Sequence, residues 1–334
     1  MKKIINKDTD VVEEMLNGMV KAYERYYERI DDKMALMYKG RRKDKVVLVI
    51  GGGSGHEPVY HGFVGQGLAD AAACGNVFAS PNPELIAETA KAVDQGKGVL
   101  FVYGNYAGDN LNFDMAEELL EFEDIKTAHV RVMDDCASAP KERMDDRRGI
   151  AGSIYMMKIA GAACDAGLEL EEVVRIVEKA QANINTIGLA TSPGSIPGLD
   201  KPTFELGEEE IEFGMGLHGE PGIERTTMKP AKELVTRMYT EIKTEMGLKA
   251  GDEVAILVNG LGSTTMMELD IVYNDLYDFV KEDGMIIHDA EVKSFCTCQE
   301  MGGFSITILR LDDELKKYYD TPCFSPYYAR GEIK

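Results

Sequence analysis

Positive charge is scarce in this chain. Its 334 residues include 37 Lys and Arg against 58 Asp and Glu, a net charge of −21. That balance excludes nucleic acid or an anionic membrane as the main partner, because phosphate binding needs clustered Lys and Arg. Long apolar runs are missing too. None could span a bilayer, and Met1-Lys2-Lys3 leads into a charged amphipathic segment rather than a signal peptide. A cytoplasmic protein is expected. The five histidines form no H-x-x-x-H or H-E-x-x-H pair, so metal catalysis is unsupported and no metal site is assigned. The six cysteines are scattered, and the lone C-x-C of Cys296 and Cys298 lacks a second pair and His ligands. They are expected to be small buried residues in a reducing compartment. No long polar tract and no repeat period are visible, which leaves a globular chain.

What is present is a succession of strand and helix patterns. With 44% hydrophobic residues, the chain is too long for one comfortable core and predicts two domains. Thr9–Glu24 places Val11, Val12, Met15, Leu16, Met19 and Val20 on one helical stripe, with Thr9 or Asp10 as N-cap. Val46–Ile50 is a short, wholly apolar run ending in Gly51-Gly-Gly-Ser-Gly, the pattern of a buried parallel strand feeding a glycine-rich loop. Val99–Tyr103 and His129–Met133 repeat the strand, with helices at Pro83–Val93 and Met115–Phe122. Further helices are predicted at Ile154–Gly167 and Leu170–Asn183, before a stretch dense in Pro, Gly and Ser at 191–202. The second half reads as strands at 211–213, 254–258, 285–288 and 304–310, and helices at 230–246, 264–281 and 313–319. The fold class is α/β, with two α/β domains, each a mainly mixed sheet with flanking helices. They are expected at 1–185, carrying the glycine-rich loop, and 186–334. The site is expected along the carboxyl edge of the strands.

Three constellations bear chemistry. Gly51-Gly-Gly-Ser-Gly-His56-Glu57-Pro58 is neither a dinucleotide fingerprint, whose third glycine is replaced by His56, nor a Walker loop, since no Gly-Lys-Ser/Thr closes it. Glycines there let a ligand approach the backbone closely, and a histidine at the mouth suits proton transfer near neutral pH. A structural turn with a solvated histidine is the bland alternative. Asp109 follows the second strand, where a carboxylate can orient a histidine or accept from a substrate hydroxyl, or simply cap the next helix. Asp134 and Asp135 read as turn or cap residues. His218 sits in Gly-Leu-His-Gly-Glu-Pro-Gly, a loop too rich in glycine for packing, and a neutral imidazole nitrogen presented there can add to a carbonyl carbon. His61, His129 and His288 lack such contexts and are assigned to core or surface.

Taken together, GGGSGHEP, GFVGQG, FASPNP, GNYAGDNLNF, RRGIAGS, GMGLHGEPGIER, NGLGSTT and CQEMGGFSITILRLDDELKKYYDTP resemble the substrate-binding unit of the dihydroxyacetone kinase family, from the first helix to about residue 326. The resemblance implies that His218 holds the ketose as a covalent hemiaminal. It implies that Gly53, Ser54, Gly55 and His56 contact the ketose, with His56 in proton transfer, that Asp109 hydrogen-bonds it, and that Ser80 lies near the same pocket. Site residues are thus expected at the 51–58, 104–109 and 216–221 loops. A hemiaminal requires a carbonyl, so polyols would be rejected. The resemblance also implies a separate helical subunit that binds ADP or ATP with Mg, no cofactor in this chain, a homodimer, and, as in bacterial relatives, a phosphotransferase-system protein as phosphoryl source. Gly104 departs from the family pattern, which has Lys directly before Asn-Tyr. A cationic contact is therefore missing and space is expected where a side chain stood. That opens two alternatives to a dihydroxyacetone (glycerone) kinase subunit: an erythrulose kinase subunit, or a ketose-sensing co-activator that transfers nothing.

Overall fold

A computed structural model describes residues 2–331. The chain forms two compact units and enters each more than once. The first unit comprises the residues up to Val132, Ile154–Ala180 and those from Leu315, and the second comprises Met133–Ser153 and Gln181–Glu314. These units differ from the contiguous division at 185/186 in two places. Residues 133–153 belong to the second unit because Asp134 and Cys136 join its backbone: Thr186 N–H donates to the Asp134 carbonyl at 2.7 Å and Cys136 N–H to the Thr186 carbonyl at 3.1 Å. The final segment belongs to the first unit, where the buried Lys158 donates to the Tyr318 carbonyl at 2.8 Å. Such long-range partners leave no local composition signal.

The first unit is built from α1 (Val11–Ala22), β1 (Tyr27–Arg29), β2 (Ala35–Tyr38), β3 (Val47–Ser54), β4 (Ala71–Val77), α2 (Pro83–Val93), β5 (Val99–Gly104), α3 (Ala107–Glu121), β6 (Thr127–Val132), α4 (Ser153–Asp165) and α5 (Leu170–Gln181). Its sheet runs β1-β2-β4-β3-β5-β6. The four strands from β4 to β6 are parallel, with β2 and β1 added antiparallel at one edge. The apolar cores of β3 and β5 are buried along their length, as expected for parallel strands covered on both faces. Of the α1 stripe, Val12, Leu16 and Met19 are buried, and Asp10 is the N-cap. At the amino end of β3, Lys45 Nζ lies 2.7 Å from Asp70 and 2.9 Å from Asp165. The same Asp70 carboxylate accepts Leu48 N–H at 2.9 Å, so charge pairing and a backbone bond together fix where β3 enters the sheet.

The second unit contains β7 (Ile184–Ser192), β8 (Glu210–Phe213), β9 (Glu224–Thr227), α6 (Ala231–Met246), β10 (Glu253–Gly260), α7 (Met266–Glu282), β11 (Ile286–Lys293) and β12 (Gly302–Leu311). The sheet order is β11-β10-β12-β7-β8-β9. Only β10 and β11 pair in parallel, which makes this sheet mixed. Helix α6 ends at Gly247 in the left-handed region, φ +61°, the usual way to stop a helix. Helix α7 starts on a capping box between Thr265 and Glu268. A last helix, α8 (Asp313–Asp320), is followed by the two-residue strands β13 (Cys323–Phe324) and β14 (Ala329–Arg330). No helix among the described residues is long and apolar enough to cross a membrane.

Lys158 generates a test of the first unit. Burial pushes its amine down to about 8, whereas the unfolded lysine titrates near about 10.4. Between those values the unfolded chain holds a proton that the folded chain has shed, so this group's contribution to stability rises with pH. Urea unfolding from pH 7 to 10 should show the native chain gaining on Lys158→Met by up to about 1.4 kcal/mol per pH unit. The comparison cancels the cysteines and tyrosines, which are common to both proteins. A difference that does not change with pH would refute the assignment.

Candidate functional site

The glycine-rich segment is mostly strand rather than loop, because Gly51, Gly52, Gly53 and Ser54 complete β3. Its glycines are required by close approach. A Cβ on Gly53 would lie 2.8 Å from the Ala79 nitrogen, and one on neighbouring Gly75 of β4 would lie 1.9 Å from the Ala79 oxygen. Segment 78–81 thus folds directly over the carboxyl ends of the two strands, backbone on backbone. Phe78 N–H donates to the Ser54 carbonyl at 2.8 Å, and Ser54 Oγ donates to the Gly75 carbonyl at 2.8 Å. Gly55 then turns with φ +99°, and its N–H donates to Glu57 Oε1 at 2.8 Å.

That turn sets His56 against Phe78, the two rings stacked with centroids 4.9 Å apart. His56 is 3% exposed, so its orientation is held by packing and not left to solvent. Ser80 lies beside the start of α3: its Cβ would be 3.6 Å from a Cβ on Gly108. Asp109, the third residue of α3, is buried, at the helix end where the aligned peptide dipoles favour negative charge. The loop before α3 is tied down by Asn110, whose amide donates to Asn105 at 2.8 Å. Asn112 ties α3 to segment 78–81 by donating to the Pro81 carbonyl at 2.9 Å. Gly53, Ser54, Gly55, His56, Ser80 and Asp109 are therefore gathered at the carboxyl ends of β3, β4 and β5.

Gly104 does not leave a vacancy, contrary to the expectation from its sequence. A Cβ there would meet two ring carbons of Tyr106 at 3.1 Å and the Tyr60 hydroxyl at 3.3 Å. Tyr60 also lies across Gly52, whose Cβ would be 2.2 Å from its ring. Two tyrosines thus crowd the position from which a side chain at 104 would start. Tyr103 takes no part, since its ring stacks on Phe113 at 4.0 Å and its hydroxyl accepts from Arg131 at 3.2 Å.

His218 belongs to the second unit, in the connection between the paired strands β8 and β9. Gly219, with φ +86°, lets the chain reverse so that Glu220 returns to His218. Glu220 Oε1 is 3.0 Å from His218 Nδ1, and Oε2 accepts the His218 backbone N–H at 2.8 Å. Burial opposes the ionised Glu220, but these bonds and the charge of His218 outweigh it and hold the carboxyl at about 2. Asp134 and Asp135 are structural, as their spacing suggested. Asp134 accepts Ile150 and Gly152 N–H, each at 2.7 Å. Asp135 accepts Arg148 Nε at 2.9 Å; burial pushes its carboxyl up to about 7, while Arg148 pulls against that rise. Arg148 in turn donates to the Gly214 carbonyl at 3.0 Å, fixing the start of the His218 loop.

His61 is buried, and burial lowers its pKa. His129 and His288 face Glu117 at 3.0 Å and Glu253 at 2.8 Å. His61 is thus a core residue, and His129 and His288 are half-buried. Among the described residues no group of three or more His, Cys, Asp or Glu is placed to hold a metal ion. The sequence reading missed Tyr60, Phe78 and Tyr106, which sit on the site, and Glu220, for which the His-Gly-Glu spacing was a usable signal.

The sequence matches the Dak1 domain over residues 17–327. The chain belongs to the Dak1 family. This Dak1 protein is 44% identical over 330 residues to the PTS-dependent dihydroxyacetone kinase 2, dihydroxyacetone-binding subunit DhaK, of Listeria innocua, covering 98% of this chain and 99% of that one. It is 38% identical to the D-erythrulose kinase of Mycolicibacterium smegmatis, over 99% of this chain but 57% of that protein. Among solved structures, the dihydroxyacetone kinase from C. freundii in complex with AMP-PNP and Mg2+ superposes with a TM-score of 0.91 at 29% identity, over 100% of this chain and 62% of that one. The dihydroxyacetone kinase operon co-activator Dha-DhaQ superposes at 0.87 with 30% identity, over 93% and 96%. Kinase and co-activator share this Dak1 fold, so the fold alone does not separate them.

The packing of the Dak1 site predicts that Gly75→Ala loses about 1–3 kcal/mol of stability in urea unfolding, since its methyl group would meet backbone rather than a movable side chain. An unchanged transition midpoint would overturn the close-approach argument.

Proposed function

We propose that this Dak1 protein is the ketose-binding subunit of a dihydroxyacetone-type kinase, working as a cytoplasmic homodimer with a separate nucleotide-carrying subunit. The observation that carries the reading is the 44% identity with a dihydroxyacetone-binding subunit across 98% of this chain and 99% of that relative. ADP or ATP, with Mg, belongs to the partner subunit in this scheme. His218 adds through its imidazole to the ketose carbonyl and anchors it as a hemiaminal, which fixes the terminal hydroxyl in one orientation. His56 takes the proton from that hydroxyl as it attacks phosphorus, and its buried, stacked ring needs no reorganisation to do so. Asp109 orients the hydroxyl or shares its proton, and Gly53, Ser54, Gly55 and Ser80 line the ketose. Calorimetry should show that His218→Ala loses tight dihydroxyacetone binding while its circular dichroism stays native. His56→Asn should bind the ketose but lower turnover by about 10²–10⁴-fold in steady-state assays with the partner. Unchanged affinity in the first variant, or near-normal turnover in the second, removes the corresponding role.

Gly104 bears on the substrate. The crowding of Gly104 by Tyr60 and Tyr106 favours a three-carbon ketose over erythrulose in this reading, because it limits the room for a fourth carbon. The Tyr60 hydroxyl stands in for the missing ammonium as a neutral donor, a contact worth about 0.5–1.5 kcal/mol. Native kcat/KM is expected to be higher for dihydroxyacetone than for either erythrulose enantiomer. Tyr60→Phe should reduce the dihydroxyacetone value by about 2–10-fold. A native preference for erythrulose would sink this assignment, and binding of both sugars without phosphorylation of either would favour the co-activator reading.

A further inference from the structure

We propose that Ser325 is a positioning residue for the ketose site: the β13–β14 ribbon straps down segment 58–67 and thereby sets Tyr60 against Gly52 and Gly104. This rests on the reading that the Tyr60 hydroxyl contacts the ketose. All the residues involved lie in the first unit.

Segment 58–67 belongs to the connection between β3 and β4, and from Val59 to Gly67 only Gln66 is exposed. A buried connection has no water for its backbone, so its polar groups need protein partners. Gly62 N–H donates to the Pro58 carbonyl at 2.7 Å and Phe63 N–H to the Tyr60 carbonyl at 2.8 Å, closing a turn around Tyr60. Other carbonyls of the segment turn to distant residues. The Tyr27 hydroxyl donates to Val64 at 3.0 Å, Phe324 N–H to Gln66 at 2.8 Å, and Ser325 Oγ to Gly62 at 2.6 Å. The last two partners come from the ribbon. It lies so close that a Cβ on Gly65 would be 2.2 Å from the Phe324 carbonyl oxygen, and the Phe63 and Tyr328 rings are 5.0 Å apart.

Ser325, 2% exposed, links strap to segment. A hydroxyl has one proton and two lone pairs, and all are engaged here. The proton goes to the Gly62 carbonyl at 2.6 Å, since the other carbonyl in reach, that of Tyr328, stands at 3.4 Å. The lone pairs accept Tyr327 and Tyr328 N–H at 3.2 and 2.9 Å. One atom therefore closes the ribbon's own turn and pins the turn that carries Tyr60. The Tyr60 ring lies across Gly52 and its hydroxyl is 3.3 Å from where a Cβ of Gly104 would be, so any shift of that turn is carried to the ketose side.

A merely structural strap would change stability and leave ketose recognition untouched, so the deciding readouts are local exchange and coupling to Tyr60. Hydrogen exchange on the full chain should find the Gly62 and Phe63 amides at least ~10-fold faster in Ser325→Ala, while those of β5 keep their native rates. In assays with the partner subunit, Ser325→Ala should raise KM for dihydroxyacetone by about 2–10-fold, the range of one neutral hydrogen bond, with kcat little changed. In a Tyr60→Phe background the same substitution should add nothing, because two changes that remove one contact are not additive. Ser325→Thr keeps the hydroxyl and should recover most of the loss. Should Ser325→Ala not fold, Ser325→Cys, of similar shape but a weak donor, takes its place in every comparison. Native local exchange, an unchanged KM, or a KM effect that persists in full on Tyr60→Phe overturns the proposal. Failure of the native chain to bind dihydroxyacetone rejects the ketose reading instead, while the exchange comparison still judges the strap.

Discussion

The first-unit site depends on the contact of bare backbone with bare backbone at the ends of β3 and β4. Without side chains at Gly53 and Gly75, segment 78–81 lies within 2.8 Å and 1.9 Å of where their Cβ atoms would be. Everything chemical nearby follows from that contact. It lays Phe78 under the His56 ring, brings Ser80 to the start of α3, and gives Asn112 a carbonyl to hold. A histidine fixed by stacking and an aspartate fixed on a helix turn are placed by the scaffold before a ligand arrives. Such preorganisation is what positioning needs if it is to contribute to rate.

The sequence made the architecture legible where physics is local. Apolar β-branched runs marked β3, β5 and β10, and helical stripes marked α1, α6 and α7, because burial on a known period leaves that pattern. Strand β4 escaped, since Ala71-Ala-Ala-Cys-Gly has neither branching nor alternation, yet it lies between β2 and β3 inside the sheet. Its small residues answer to the close packing of neighbours, a tertiary demand that overrides strand propensity. Strand β7 was hidden between a helix pattern and a proline-rich stretch. The crossing of segments 133–153 and 315 onward between units was invisible for the same reason: the Asp134 to Thr186 and Lys158 to Tyr318 bonds join residues far apart in sequence.

At the site, residue types proved easier to read than their surroundings. A histidine after glycines and a histidine within glycines announce themselves by their unusual contexts. The glycines of 51–53 looked like a ligand-cradling loop and are strand residues, with Gly53 packed on segment 78–81. Gly104 looked like a cavity and instead abuts Tyr106 and Tyr60. In both cases a missing side chain was read as space for a ligand. Close packing of interiors makes the opposite the better default: what one residue gives up, a neighbour occupies.

The shared fold of a kinase and a co-activator in this family turns the functional question into one of chemistry at separate groups. Holding a ketose asks for a nucleophilic nitrogen, the part proposed for His218. Transferring a phosphoryl group asks in addition for a proton acceptor and a carboxylate at the hydroxyl. The groups proposed for that step are firmly held, His56 at 3% exposure against Phe78 and Asp109 buried in the first turn of α3. This chain keeps both groups, as the proposed transfer requires.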